Sequence, residues 1–173
     1  MMSRHPQEHV ILGLLMKEER HGYEIHHYFS SGLGRVWYAG RSQIYALLKG
    51  LEMTGKVASV VEIQDNRPAK KVYSITPEGR ETLLSWVYGP VQKIRDLRLE
   101  FLAKLFFMRE LEPSGIAELI AKQIKVCQKH LEDIKQLDKV CHDEFDHLVF
   151  QFKICQTEAI LTWLQACKKY FAH

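Results

Sequence analysis

No cysteine occurs before residue 127, and none of the four cysteines (Cys127, Cys141, Cys155 and Cys167) belongs to a C-x-x-C pair. The chain is also too long and Leu-rich to need disulfide staples. Reduced thiols in a cytoplasmic protein are the expectation. No uninterrupted apolar run approaches the roughly 18 residues of a membrane span. The opening MMSRHPQEHV lacks the apolar core of a signal peptide. Charge of one sign is not in excess either: 24 Lys and Arg face 21 Asp and Glu, a net of +3. The two signs are nearly balanced on both sides of residue 88, so an anionic partner has to be met by a local cluster. There is no Gly-rich phosphate loop, no nucleophile motif and no separated pair of carboxylates. His26 and His27 are adjacent and point to different sides of a helix. Neither an enzyme nor a cofactor is expected. "CHDEFDH" offers Cys141, His142 and His147, but no second ligand cluster backs a metal site.

What the chain does contain is periodicity. Apolar residues at helical spacing predict helices over residues 6–17, 23–31 and 41–53. "VASVVEI" and "KVYSI" are β-branched runs of strand length separated by the turn-forming "QDNRPAK", which predicts a hairpin. Thr76 followed by Pro77 and Glu78 marks a helix start, and that helix runs to about residue 88. Beyond it the pattern is wholly helical, over 94–111, 116–140 (with Ser114 as its N-cap) and 145–170. The expected class is mainly α with a small β-hairpin. The domains are a winged helix-turn-helix at 1–88 and a long-helix dimerisation domain at 89–173.

The third helix, in "RSQIYALLKGLEMTGKV", presents Ile44, Leu47, Leu48 and Leu51 to a core. Its other side is bare of the usual acidic and basic mixture: Ser42, Ala46, Lys49, Gly50 and Met53, flanked by Gln43 and Tyr45. Small groups let a helix axis approach base edges in a major groove about 12 Å wide. Arg41, Ser42, Gln43, Tyr45 and Lys49 are therefore candidate contacts to double-stranded DNA. Arg67, Lys70 and Lys71 at the hairpin tip are candidate phosphate contacts. A winged helix that docks protein instead would expose a contiguous apolar patch, and outward of this helix Met53 is the sizeable apolar group.

Three stretches, "HVILGLLMKEERHGYEI", "SQIYALLKGLEMTGKV" and "DNRPAKKVYSITPEGRETLLSWV", closely resemble the PadR-like transcriptional regulators. "IRDLRLEFLAKLFF" is similar to the start of the C-terminal helical domain in the longer members. The resemblance implies DNA contacts from Ser42, Gln43, Tyr45 and Lys49 and wing contacts from Arg67 and Lys70. It also implies a homodimer held by the C-terminal helices, and a repressor that yields to a signal. Many members carry Lys or Arg where this chain has Gly50, so the target sequence does not transfer from them.

The last helix agrees with self-association on its own composition. Leu148, Phe152, Cys155 and Ala159 lie on one side and Leu161 and Leu164, with Ile154, on another, too apolar all round for a surface helix of a small monomer. A twofold dimer predicts a pseudo-palindromic operator. Cys127, Cys141 and Cys155 recur every 14 residues, a spacing read here as core packing. Trp37, Tyr38, Trp86, Phe106, Phe107 and Trp163 suggest a pocket for a small aromatic effector, against the alternative that they simply pack.

Overall fold

The computed structural model describes residues 6–171 except Asp65 and Asn66, and leaves out the side chains at 32, 33, 35, 63, 64 and 67–69. The chain falls into two compact units, one ending at Val87 and the other beginning at Tyr88.

In the first unit, α1 (Pro6–Leu15), α2 (Gly22–Ser30) and α3 (Arg41–Met53) precede a hairpin of β2 (Val57–Gln64) and β3 (Arg67–Ile75), followed by α4 (Pro77–Tyr88). The connector between α2 and α3 is a 3-10 helix, Gly32–Trp37. A strand not anticipated from sequence, β1 (Arg20–His21), pairs antiparallel with β3, so the sheet order is β1-β3-β2. Two residues are too few to show a period, which is why it was missed. Ile11 of α1, Ile25 and Phe29 of α2, Ile44 and Leu48 of α3 and Leu83 of α4 are fully buried and form the core. Leu47 is only half-buried, at the edge of the expected stripe.

Two backbone devices join α3, the hairpin and α4. Helix α3 ends at Thr54, and Gly55 follows with φ +69°, a conformation costly for any residue with a Cβ. The Gly55 N–H then reaches the Glu52 carbonyl (3.0 Å) and the Lys56 N–H the Leu51 carbonyl (2.9 Å), satisfying orphan acceptors of the last turn. Thr76 caps α4 as expected: its Oγ1 accepts from the Gly79 N–H (3.1 Å) and donates to the Gly55 carbonyl (2.7 Å).

The second unit holds α5 (Ile94–Leu111), a 3-10 turn at Pro113–Gly115, α6 (Ile116–Lys139) and α7 (Glu144–Tyr170). Ser114 does not cap α6. That helix grows directly out of the 3-10 turn with Gly115 at its N-cap, while the Ser114 hydroxyl turns back to the Glu112 carboxylate. Asp143 caps α7, accepting from the Phe145 and Asp146 N–H groups at 2.9 Å each. Helices α6 and α7 run antiparallel, tied by Lys135 to Glu158 (2.7 Å) and Gln151 to Asp138 (2.7 Å). Among the described residues no helix is long and apolar enough to cross a membrane.

Buried polar groups hold the segment that opens this unit. The Gln123 amide, fully enclosed, accepts from the Val91 N–H (2.7 Å) and donates to the Val91 carbonyl (2.9 Å). The Lys104 ammonium donates to the Gly89 carbonyl (2.7 Å) and pairs with Glu100 (3.0 Å), and burial pushes its pKa below the usual lysine range. Gln123→Leu keeps the volume but strands both Val91 groups. It is expected to destabilise the protein by roughly 2–3 kcal/mol, read from urea unfolding. A loss under 0.5 kcal/mol would mean that water replaces the amide.

Candidate nucleic-acid interface

Helix α3 buries Ile44, Leu48 and Leu51 and leaves Arg41, Ser42, Gln43, Tyr45, Ala46, Lys49, Gly50 and Met53 exposed. A 3.6-residue period with one apolar stripe dictates that division. Gly40 occupies the N-cap without a side-chain cap, so the positive end of the helix dipole lies beside Arg41, Ser42 and Gln43. A Cβ added at Gly50 would meet nothing within 4 Å, so the middle of the face is open. Tyr45 is less free than the others. Its ring lies against Gly22, where a Cβ would stand 2.8 Å from Cε1, so packing on α2 sets the ring's direction.

The hairpin separates the lysines expected to act together. Neighbouring strand residues point to opposite faces. In the ladder Lys70 sits opposite Glu62 and Lys71 opposite Val61. The Lys70 ammonium lies over the Tyr23 ring at 5.4 Å, on the face where His21 Nε2 approaches Glu62 at 3.9 Å. The Lys71 ammonium lies on the α3 face. There it donates to both Glu52 oxygens, at 2.7 and 2.8 Å, and stands 5.4 Å from the Tyr73 ring. The same carboxylate accepts from the Ser59 hydroxyl. Lys71, then Ser59, holds the Glu52 carboxyl below its ordinary pKa, and Glu52 raises that of Lys71. Lys71 was expected among the phosphate contacts and is found engaged inside the unit. Arg67 begins β3, but its side chain lies outside the described residues, as does the turn at 65–66. Glu52 and Ser59 were not among the expected site residues, because nothing in linear spacing announces that Glu52 pairs with Lys71, 19 residues on, and with Ser59, seven residues on.

On α7 the expected docking residues divide. Leu148, Phe152, Cys155 and Ala159 are exposed at three- and four-residue intervals, and Phe145, not among the expected residues, extends the same seam by one turn. Leu148, Val149, Gln151, Phe152 and Cys155 line an apolar groove of about 550 Å³ on it. Leu161 is half-buried, and Leu164 is 0% exposed within the chain. Leu164 therefore has no surface left for a partner in this arrangement: it sits on the same side of α7 as the buried Ile154 and Thr157.

The cysteines follow no common rule despite their equal spacing. Cys127 is buried, which raises its thiol pKa, Cys141 is intermediate and Cys155 exposed. The aromatic residues mostly pack. Trp86 stacks on His9 at 4.3 Å, Phe106 meets Phe107 edge-on, and Trp163 meets Phe101 at 6.0 Å. Trp163 also borders a cleft of about 680 Å³ between α5 and α7, lined by Leu97, Leu102 and Ile160 with Arg95 and Arg98; Phe106 and Phe107 do not.

A family model described as Transcriptional regulator PadR-like family matches residues 11–85, and one described as Virulence activator alpha C-term matches residues 97–171. The chain is 34% identical over 128 residues to the Negative transcriptional regulator PadR of Bacillus subtilis (strain 168), spanning 74% of this chain and 70% of that protein. It is 31% identical over 133 residues to the Mycobacterium tuberculosis protein named Probable transcriptional regulator Rv1176c, spanning 75% and 70%. Among solved structures, that of Bacillus subtilis PadR in complex with operator DNA aligns at 28% identity with a TM-score of 0.49, covering 95% of this chain and 98% of that one.

Proposed function

Because the chain belongs to the PadR-like family of transcriptional regulators, we propose that it represses transcription as a homodimer seated on a pseudo-palindromic operator. The observation that carries this reading is the outward face of α3: its outward positions from Arg41 to Met53 are exposed, mostly small or hydrogen-bonding, with the uncapped helix start beside Gln43. Side chains at the start of such a helix reach base edges, and Lys49 follows one turn behind for phosphate or guanine. In this division of labour residues 1–88 read DNA and 89–173 bring two copies together.

The seam from Phe145 to Ala159 supports the dimer, since a monomer in water gains nothing by exposing two phenylalanines and a leucine in register. Twofold pairing would present two α3 helices to half-sites about 34 Å apart or a multiple of it. Repression is supported by the Bacillus subtilis relative, which is named a negative regulator. A small aromatic effector is part of the proposal: the cleft beside the Trp163 ring, with the Arg95 and Arg98 guanidinium groups, suits an aromatic anion.

Fluorescence anisotropy against the DNA upstream of the protein's own coding sequence and against a scrambled duplex tests the core of the proposal. Tight binding to the first alone, with two chains per duplex, is the expected result. Gln43→Ala is then expected to cost about 1–3 kcal/mol on the preferred duplex and little on the scrambled one. An equal loss on both would remove Gln43 from base reading. No binding to either duplex at low salt would favour a winged helix that docks protein.

A further inference from the structure

We infer that Glu52 limits the sequence-independent affinity of this interface by withholding Lys71 from phosphate. The inference rests on the DNA-binding reading and adds a residue that would touch no DNA itself. Glu52 lies in the last turn of α3, on the flank facing the hairpin, and its two oxygens are fully engaged: both accept from Lys71, and one also accepts from Ser59. The ammonium is held from a second side by the Tyr73 ring. Lys70, one residue earlier on the opposite face, has the Tyr23 ring and no paired carboxylate among the described residues. Two adjacent lysines of one strand thus differ among the described residues, one paired with a carboxylate and one resting on a ring.

The consequence follows from how non-specific binding arises. Each cation that neutralises a phosphate releases condensed counterions, and this sequence-independent attraction competes with reading the operator. An ammonium paired with a carboxylate adds no net charge to the hairpin. Glu52 therefore lowers the sequence-independent part of the affinity for any duplex. Its bridge from the end of α3 to β2 and β3 also sets the angle between helix and hairpin, which makes it a positioning residue as well. A purely structural role would leave the salt dependence on scrambled DNA unchanged, and that is the discriminating readout.

The experiment measures the slope of log K against log salt on a scrambled duplex for the full-length wild type, Glu52→Gln, Lys71→Met, the double variant and Lys70→Met. Glu52→Gln is expected to steepen the slope by about 0.9 per protomer and to tighten scrambled binding roughly three- to tenfold. Lys71→Met bares the Glu52 carboxylate and should flatten the slope less than Lys70→Met does, the double variant should return to the wild type, and Lys70→Met should flatten the slope by about 0.9. If Lys71→Met flattens the slope as much as Lys70→Met does, the ion pair opens on DNA and the inference is overturned. An unchanged slope for Glu52→Gln overturns it equally. Circular dichroism identifies a variant that fails to fold, and the Lys71→Met comparison then decides alone. Failure of the DNA reading itself shows earlier and separately, as a wild type that binds no duplex at any salt.

Discussion

Phe152→Asp is expected to break the proposed dimer, raising its dissociation constant at least a thousandfold, or about 4 kcal/mol. Phe152 stands in the middle of the exposed seam on α7, 67% exposed in the isolated chain, with Leu148 one turn before it and Cys155 one turn after. In a twofold interface every substitution enters twice, so two carboxylates would face a dry apolar surface and one another. Because the side chain makes little contact within its own unit, helix content should survive. Light scattering coupled to size exclusion gives the mass, and circular dichroism gives the fold. A variant that remains dimeric at micromolar concentration would place the seam on another surface. The same variant should bind an isolated half-site weakly and lose the full operator, because two helices on one particle multiply their affinities while two free ones do not.

Gly79→Ala should be nearly as damaging, but to stability. A Cβ at Gly79 would lie 2.0 Å from the Lys56 carbonyl oxygen and 3.0 Å from the Ile75 side chain. The oxygen cannot simply step aside, since it accepts from the Thr76 N–H at 3.1 Å, and Thr76 caps α4 through the Gly79 amide itself. Moving any one of these groups disturbs the start of α4, the end of β3 and the turn after α3 together. We expect a loss of about 3–4 kcal/mol, seen as a fall in Tm of roughly 15 °C for the transition of the first unit. A fall under 3 °C would show that the close approach relaxes at little cost. DNA binding should fail in parallel, because this junction sets where the hairpin leaves α3.

Much of the architecture was legible before any coordinates. The stripe Ile44, Leu48 and Leu51 foretold both the core face of α3 and its bare outer face. Gly55 and the Thr76-Pro77 pair marked a helix end and a helix start. In each case the cause is local: a side-chain period, a positive φ, or a cap acts within four residues, so one window of sequence contains it. Ser114 misled for a related reason. It has the right residue type for a cap, but the 3-10 turn at Pro113–Gly115 carries the chain into α6 without one. On α7 the spacing placed Leu164 and Phe152 on different sides but did not tell which side is the inner one, so both were expected at the docking surface although one is enclosed and the other exposed.

The sequence by itself determined the order of the helices and the hairpin, the outward face of α3 and the family, because these depend on periods and motifs confined to short windows. Only the tertiary structure decided which partners Lys70 and Lys71 take on their opposite faces, that Glu52 and Ser59 join Lys71 beside α3, that a third strand joins the hairpin, and which side of α7 stays open. Those facts arise from groups that separate elements bring together in space. Electrostatic pairing and burial act through space, and a distance of 2.7 Å between residues 52 and 71 has no trace in the spacing of letters.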